Sequence, residues 1–293
     1  MPEGPEVRQI ATYLNEQLAG QQILSIEHDS RSKYRNGIKD YKEFSDGFPV
    51  TITDVTCKAK CIVFICSDRV GQQVFITSTL GMEGFWTVDV KQFNKFSNLW
   101  FNLVDNDKKA YFTDSCKFGN LSLFVDFGDF AKKMKEIGPD YLLFSIAVHE
   151  HGEQDLDEDE KISFDMWYKV LKSSRWSYKQ ICQFLMEPKV FSGIGNYLKA
   201  EILYKSKVKP DRTISTLTNE ECQAIYDSIL STIYEAFRSG HDKFKMYFKP
   251  GEHCGSSFQR AVYEKKVDPL GNEVIKSEFG DGRTSHWVKE VQI

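Results

Sequence analysis

Between residues 5 and 19 apolar positions recur at helical spacing. Val7, Ile10, Ala11, Leu14 and Leu18 fall on one face, with Pro5 in the first turn and Gly20 just past the end, so a helix is predicted almost at the N-terminus. From about 21 to 125 the period shortens. The runs QQILSIEH, VTITDVT, CIVFIC, QQVFITS, GFWTVDV, NLWFNLV, KAYFTD and LSLFV are β-branched and aromatic and are separated by Gly, Asn and Asp, the pattern of a β-sandwich or barrel. Helical spacing returns over 163–172, 177–186, 196–205 and 218–238. The last of these opens with Thr218 and Glu221 as a capping box and turns Cys222, Ile225, Ile229, Ile233 and Ala236 inward. The tail from 251 to 293 goes back to Gly-punctuated extended runs and predicts a small β-hairpin.

Charge divides this pattern. The chain of 293 residues has a formal net charge of −4, a poor balance for a simple nucleic-acid binder. Much of the acid sits in EHGEQDLDEDE, Glu150 to Glu160, which reads as a solvated loop or linker. Residues 172 to 212 hold nine Lys or Arg against three acids, which suits either a phosphate-binding face or an ordinary solvated helix surface. No run of about eighteen apolar residues occurs, and the N-terminus lacks the order of a secretory signal, so an intracellular, reducing compartment is expected. Seven cysteines, scattered and odd in number, fit free thiols; Cys57, Cys61 and Cys66 on a predicted strand read as core filling.

The opening MPEGPEVRQI offers chemistry. A small second residue favours removal of Met1, which leaves Pro2 as a secondary α-amine. An α-amine titrates at about 7.7–8.0, so part of it is unprotonated near neutrality and able to form an iminium ion with a sugar carbon. Glu3 is placed to serve as an acid beside it. On these residues alone, an exposed end leading into a helix is the better explanation of the segment.

Five further segments change that balance. PEGPEVR at the start, TCKAKC at 56–61, LGMEG at 80–84, TDSCKFG at 113–119, KVFSGIGNYLKAEILY at 189–204 and GRTSHW at 282–287 run in one order along nearly the whole chain. Together they resemble the formamidopyrimidine-DNA glycosylase and endonuclease VIII family, and GIGNYLKAEILY and the tail look most like its endonuclease VIII-like 1 branch, which has viral members. The resemblance implies a two-domain α+β fold: an N-terminal β-sandwich with flanking helices over 1–148, an acidic linker over 149–162, a helix-two-turn-helix domain over 163–250 and a finger hairpin over 251–293. Many members carry four zinc-binding cysteines in that finger. Here no cysteine follows Cys254, so a four-cysteine site is excluded and the tail resembles the family's zincless finger.

The same resemblance implies roles. Pro2 would be the Schiff-base nucleophile and Glu3 its acid. Lys60, rather than its neighbour Lys58, would match the pocket lysine of an R-G-K or R-A-K strand motif. Met82 would fill the stack that a flipped base leaves, with Phe118 and Lys117 on a second loop. On that loop Cys116 stands where an Arg is common, which leaves the opposite-base preference open. Asn196 would open a helix whose free amides suit a phosphate, and Arg283 would grip phosphates beside the lesion. The implied activity is that of a bifunctional DNA glycosylase and abasic-site lyase, removing oxidised pyrimidines and ring-opened or further oxidised purines by β,δ-elimination. It would need no cofactor and no metal, act as a monomer on damaged duplex or single-stranded DNA, use no membrane, and work in the nucleus or at a viral replication site if eukaryotic or viral. The competing reading is a catalytically silent damaged-DNA binding protein on the same scaffold.

Overall fold

The computed structural model describes residues 2–105, 108–152, 154, 156–239 and 258–293. Its elements in chain order are α1 (Gly4–Leu18), β1 (Gln22–His28), α2 (Tyr41–Ser45), β2 (Val50–Lys58), β3 (Cys61–Ser67), β4 (Gln73–Thr79), β5 (Phe85–Thr87), β6 (Ser97–Leu103), β7 (Lys109–Thr113), β8 (Asn120–Phe124), α3 (Phe127–Lys135), α4 (Tyr141–Ile146), α5 (Phe164–Leu171), α6 (Ile181–Leu185), α7 (Asn196–Lys205), α8 (Asn219–Ser239), β9 (Ile275–Glu278) and β10 (Thr284–Trp287). All eight β-branched runs form strands. They divide between two compact units: one holds residues 2 and 6–136, the other residues 3–5, 137–239 and 258–293.

In the first unit the strands pair antiparallel in the order β5-β7-β6-β1-β2-β3-β4-β8. A register shift between Ile23 and Ser25 breaks β1 where it changes partner from β2 to β6. The sheet then folds over on itself. Phe64 on β3 lies 5.3 Å from Trp86 on β5 and 5.4 Å from Phe101 on β6, ring centre to ring centre, although these strands are well apart in the hydrogen-bonding order. Two faces around one aromatic core make a β-sandwich. The α1 face made by Val7, Ile10, Ala11, Leu14 and Leu18 is buried in the same core. Cys57, Cys61 and Cys66 are buried strand residues, and burial pushes the thiols of Cys61 and Cys66 up to about 11 and about 12, away from reactive thiolate.

The second unit is helical, with a core that includes Trp167, Phe184, Leu198, Ile202, Ile225 and Ile229. Thr218 and Glu221 do cap α8 reciprocally: Thr218 N donates to the Glu221 carboxylate at 2.8 Å, and Glu221 N to the Thr218 hydroxyl at 3.2 Å. Tyr141, Leu142 and Phe144 of α4, ahead of the acidic run, are buried in the helical core. Two expectations are corrected. The helix expected over 177–186 is only Ile181–Leu185, since the chain turns repeatedly before Gln180, whose N–H donates to the Gln183 side chain at 3.0 Å. The acidic run is also more than a solvated loop. Tyr234 Oη donates to Glu150 at 2.9 Å, and the Asp140 amide donates to Glu160 at 3.1 Å, so both ends of the run are fixed to helical elements.

The finger hairpin pairs β9 with β10 antiparallel, Trp287 opposite Ile275 and Thr284 opposite Glu278. Val262, Val274 and Val288 give it a small core shared with Ala200 of α7. The expected hairpin segment from 251 to 257 lies outside the described residues.

Candidate active site and DNA-contact loops

Glu3 is 2 % exposed, yet it is a carboxylate three residues from the chain start. Burial of such a group requires partners, and α7 supplies them. One Glu3 oxygen accepts from Gly195 N at 2.6 Å and Leu198 N at 3.2 Å, and the other from Tyr197 N at 2.9 Å. These are the unpaired donors of a helix N-terminus, where the backbone dipole also favours negative charge. The sequence GIG makes room for the carboxylate. A Cβ on residue 195 would sit 2.2 Å from Glu3 Cδ, and Gly193, at φ +107°, carries the carbonyl that accepts from Gly4 N at 3.0 Å. Pro2, itself buried, is held one peptide bond from this anchor. The amides expected to bind a phosphate are therefore occupied by Glu3.

Other contacts on α7 point toward the finger. Asn196 Nδ2 donates to the Thr284 carbonyl at 2.9 Å, next to the exposed Arg283. Glu201 accepts from the amides of Ala261 at 2.7 Å, Val262 at 3.0 Å and Tyr263 at 2.8 Å. Burial pushes the Glu201 carboxyl above its ordinary range, while those three amides pull against the rise.

The basic excess over 172–212 is not a free phosphate face. Lys199 is buried against Asp281. Lys172 donates to the carbonyls of Ile214 and Leu217, Lys205 pairs with Glu235, Lys209 with Asp211, and Arg212 with Glu221. Arg175 and Lys179 lie over the Trp176 ring at 5.2 Å and 4.6 Å. Much of that charge holds the helical unit together.

In the first unit, Lys60 occupies the tight turn that joins β2 to β3, beyond Lys58, which pairs with Cys61 at the strand end. Ala59 between the two lysines has φ +51°, a left-handed conformation that turns the chain back from β2 into β3. Met82 tips the turn between β4 and β5 and is 47 % exposed, and Phe118 on the 114–119 loop is 67 % exposed. Exposure of two large apolar side chains on neighbouring loops asks for a ligand.

The loops are packed back to back. Gly81 has φ +68°, and a Cβ on it would lie 2.6 Å from Gly119 N. Ser115 Oγ donates to Glu83 at 2.8 Å, while the buried Asp114 accepts from Cys116 N at 3.0 Å and Gly119 N at 2.7 Å. Lys117, at φ +59°, spends one donor on the Arg31 carbonyl at 2.8 Å. Met82, Lys117 and Phe118 are thus brought together in one unit, as Glu3, Asn196 and Arg283 are in the other. The capture of Glu3 by α7, the Ser115–Glu83 bond and the Glu201 clamp have no sequence signal, because each joins residues far apart in the chain.

Comparison with known proteins agrees with this division. Residues 1–121 match the formamidopyrimidine-DNA glycosylase N-terminal domain, and residues 154–247 match the formamidopyrimidine-DNA glycosylase H2TH domain. The chain is 29% identical over 301 residues to the formamidopyrimidine-DNA glycosylase of Streptococcus pneumoniae serotype 4, covering 100% of this chain and 99% of the relative. It is 25% identical to that of Lactococcus lactis subsp. cremoris, covering 98% and 97%. A crystal structure of the Lactococcus lactis enzyme, non-covalently bound to DNA containing an AP site, superposes with a TM-score of 0.75 at 23% identity over 99% of both chains. A structure of MutM in complex with carbocyclic 8-oxo-G containing DNA gives 0.78 at 22% over 99% of both. With both halves matching one family in order, and relatives aligned from end to end, the chain belongs to the family of formamidopyrimidine-DNA glycosylase and endonuclease VIII.

Proposed function

We propose that the protein is a DNA glycosylase of base excision repair and an abasic-site lyase that uses the amine of Pro2. The observation that carries this reading is the seat of Glu3 on the N-terminus of α7: it fixes the residue next to a secondary amine with three hydrogen bonds, an arrangement that a merely exposed chain end has no reason to build. The relatives are named formamidopyrimidine-DNA glycosylases, and the solved neighbours hold AP-site, 8-oxo-G analogue and oxidised pyrimidine DNA.

In the proposed sequence the nucleotide is flipped out, and Met82 with Phe118 takes the vacated stack. The Pro2 nitrogen attacks C1′ and the base leaves with its bonding electrons, taking a proton from solvent; the Glu3 carboxylate then accepts the proton that the Pro2 nitrogen sheds and passes it to the sugar ring oxygen as the ring opens to an iminium ion. Loss of a C2′ proton then expels the 3′ phosphate, and a second elimination expels the 5′ phosphate. Lys60, the remaining Lys117 donors and Arg283 meet the phosphate backbone, where point charges position the strand and carry no sequence information, while Asn196 holds the Thr284 carbonyl beside Arg283. The substrate class is oxidised pyrimidines together with ring-opened and further oxidised purines. The segment GIGNYLKAEILY and the tail support placement in the endonuclease VIII-like 1 branch.

Borohydride trapping tests this. With Met1 removed, a covalent complex is expected on duplexes containing thymine glycol or an abasic site, and it should vanish in Pro2→Ala. Salt-sensitive binding without any trapped complex would make the chain a damaged-DNA binding protein instead.

A further inference from the structure

The loop between β9 and β10 carries Arg283 on the protein surface. Left to itself, a short exposed loop samples many conformations, and a long cationic side chain at its tip loses still more order. Here the loop backbone is held at three successive places by the helices beneath it. Gly280 N donates to Gln180 Oε1 at 2.7 Å, and Gly280 O accepts from Gln183 Nε2 at 3.0 Å. The Thr284 carbonyl accepts from Asn196. Between these two, Asp281 turns inward and pairs with Lys199 of α7, with side-chain exposures of 2% and 0%.

The pair does not owe its place to stability alone. Burying an ammonium and a carboxylate is expensive, and apolar residues of the same volume hold a core as well or better; the best-attested use of such pairs is to fix one arrangement against others. Asp281 has the geometry for that use. One oxygen receives Lys199, and the other accepts from the backbone N–H of Arg283 at 3.3 Å. Gly282 between them adopts φ +66° and completes the turn. A Cβ on Gly280 would come within 2.8 Å of Gln180 and 2.9 Å of Gln183, so the loop is seated against α6 without slack.

We propose that Lys199 is a positioning residue for Arg283, acting through Asp281 to fix the backbone from which Arg283 reaches DNA phosphate. This rests on the role given to Arg283 above. By charge count Lys199 belongs to a basic excess that suits either a phosphate-binding face or a solvated helix surface; its task is internal.

The test uses the full chain and a duplex containing a tetrahydrofuran abasic analogue for binding, with an abasic-site duplex for single-turnover incision. Replacing the pair by apolar side chains, Lys199→Met with Asp281→Leu, keeps the core filled and is expected to leave the melting temperature near that of the wild type. It should weaken binding by about ten- to a hundredfold, the loss of a charged hydrogen bond. Lys199→Arg should restore binding to within about threefold of wild type, because the charge and the donor are retained. In an Arg283→Ala background the apolar pair should add nothing further, whereas a general structural role would multiply the two losses. Multiplying losses, or wild-type binding by the apolar pair, overturns the proposal. Arg283→Ala with wild-type binding and incision overturns the role of Arg283 itself, a separate result. If the apolar pair does not fold, Asp281→Asn, which keeps the acceptor for Arg283 N, should weaken binding in the same way, and undiminished binding there overturns the proposal.

Discussion

The two units are held together by different means. In the β-sandwich, Phe64, Trp86, Phe101 and Phe112 interlock at the centre, and the buried carboxylate there serves near neighbours: Asp114 accepts from its own loop, as the more exposed Asp126 caps its own helix with a bond to Asp129 N at 2.9 Å. In the helical unit the decisive bonds are charged, buried and distant in sequence, from Glu3 to the start of α7, from Glu201 to residues 261–263 and from Lys199 to Asp281. Apolar burial gives a shape and accepts substitutions of similar volume. Directed charge-assisted bonds place individual atoms and tolerate little. Bonds of the second kind hold Glu3, the neighbour of Pro2, and, through Asp281, the backbone N–H of Arg283.

The comparison can be broken at four places. Phe64→Ala empties the aromatic centre of the sandwich and is expected to cost about 3–5 kcal/mol in urea unfolding; a loss under about 1 kcal/mol would mean that the core is not shared between the two faces. Gly195→Ala drives a Cβ into the Glu3 carboxylate and should lower single-turnover incision about a hundredfold, since small misplacements at a reacting centre act on that scale. Incision unchanged in that variant would detach Glu3 from the chemistry. Ser115→Ala removes one bond between the Met82 and Phe118 loops, about 0.5–1.5 kcal/mol, and its effect should appear in the dependence of incision on the base opposite the lesion more than in melting.

The smallest effect concerns acid. Burial, then Lys276 and Lys199, lowers the pKa of His286 from its ordinary 6.5, with Glu264 opposing. The folded state therefore binds this proton less readily than the unfolded chain does. The contribution of neutral His286 is complete above about pH 6.5 and is lost as pH falls toward the depressed folded value. Melting of the wild type should drop between pH 7 and 5.5 by slightly more than that of His286→Phe; identical pH profiles would remove His286 from the account.

Much of the fold was legible because it is written locally. Eight alternating runs became strands, one face of α1 became core, and α7 spans Asn196–Lys205 as its pattern predicts. What escaped did so for physical reasons. YLLFSI in α4 is apolar nearly throughout and has no helical period to detect, and α3 has an apolar face in Phe127, Phe130 and Met134 but is only nine residues long. Lys199 and Glu201 look like surface charges in composition, and only the fold shows that their partners lie in the finger. At the site, the turn at Ala59 and the exposure of Met82 and Phe118 give physical sense to residues that the motifs single out, whereas the anchoring of Glu3 depends on a contact nearly two hundred positions away.

The joints between α7 and the finger are made of a carboxylate, an ammonium and amide groups, and the Cys182 thiol that meets Asp281 there is pushed up to about 11 by burial, away from reactive thiolate. Peroxide and hydroxyl radical damage DNA bases and readily convert thiolates to sulfenic acids and disulfides. A finger fastened by Lys199, Glu201 and Asn196 presents those oxidants with no reactive thiolate at its fastenings, so its seat on α7 should persist under peroxide.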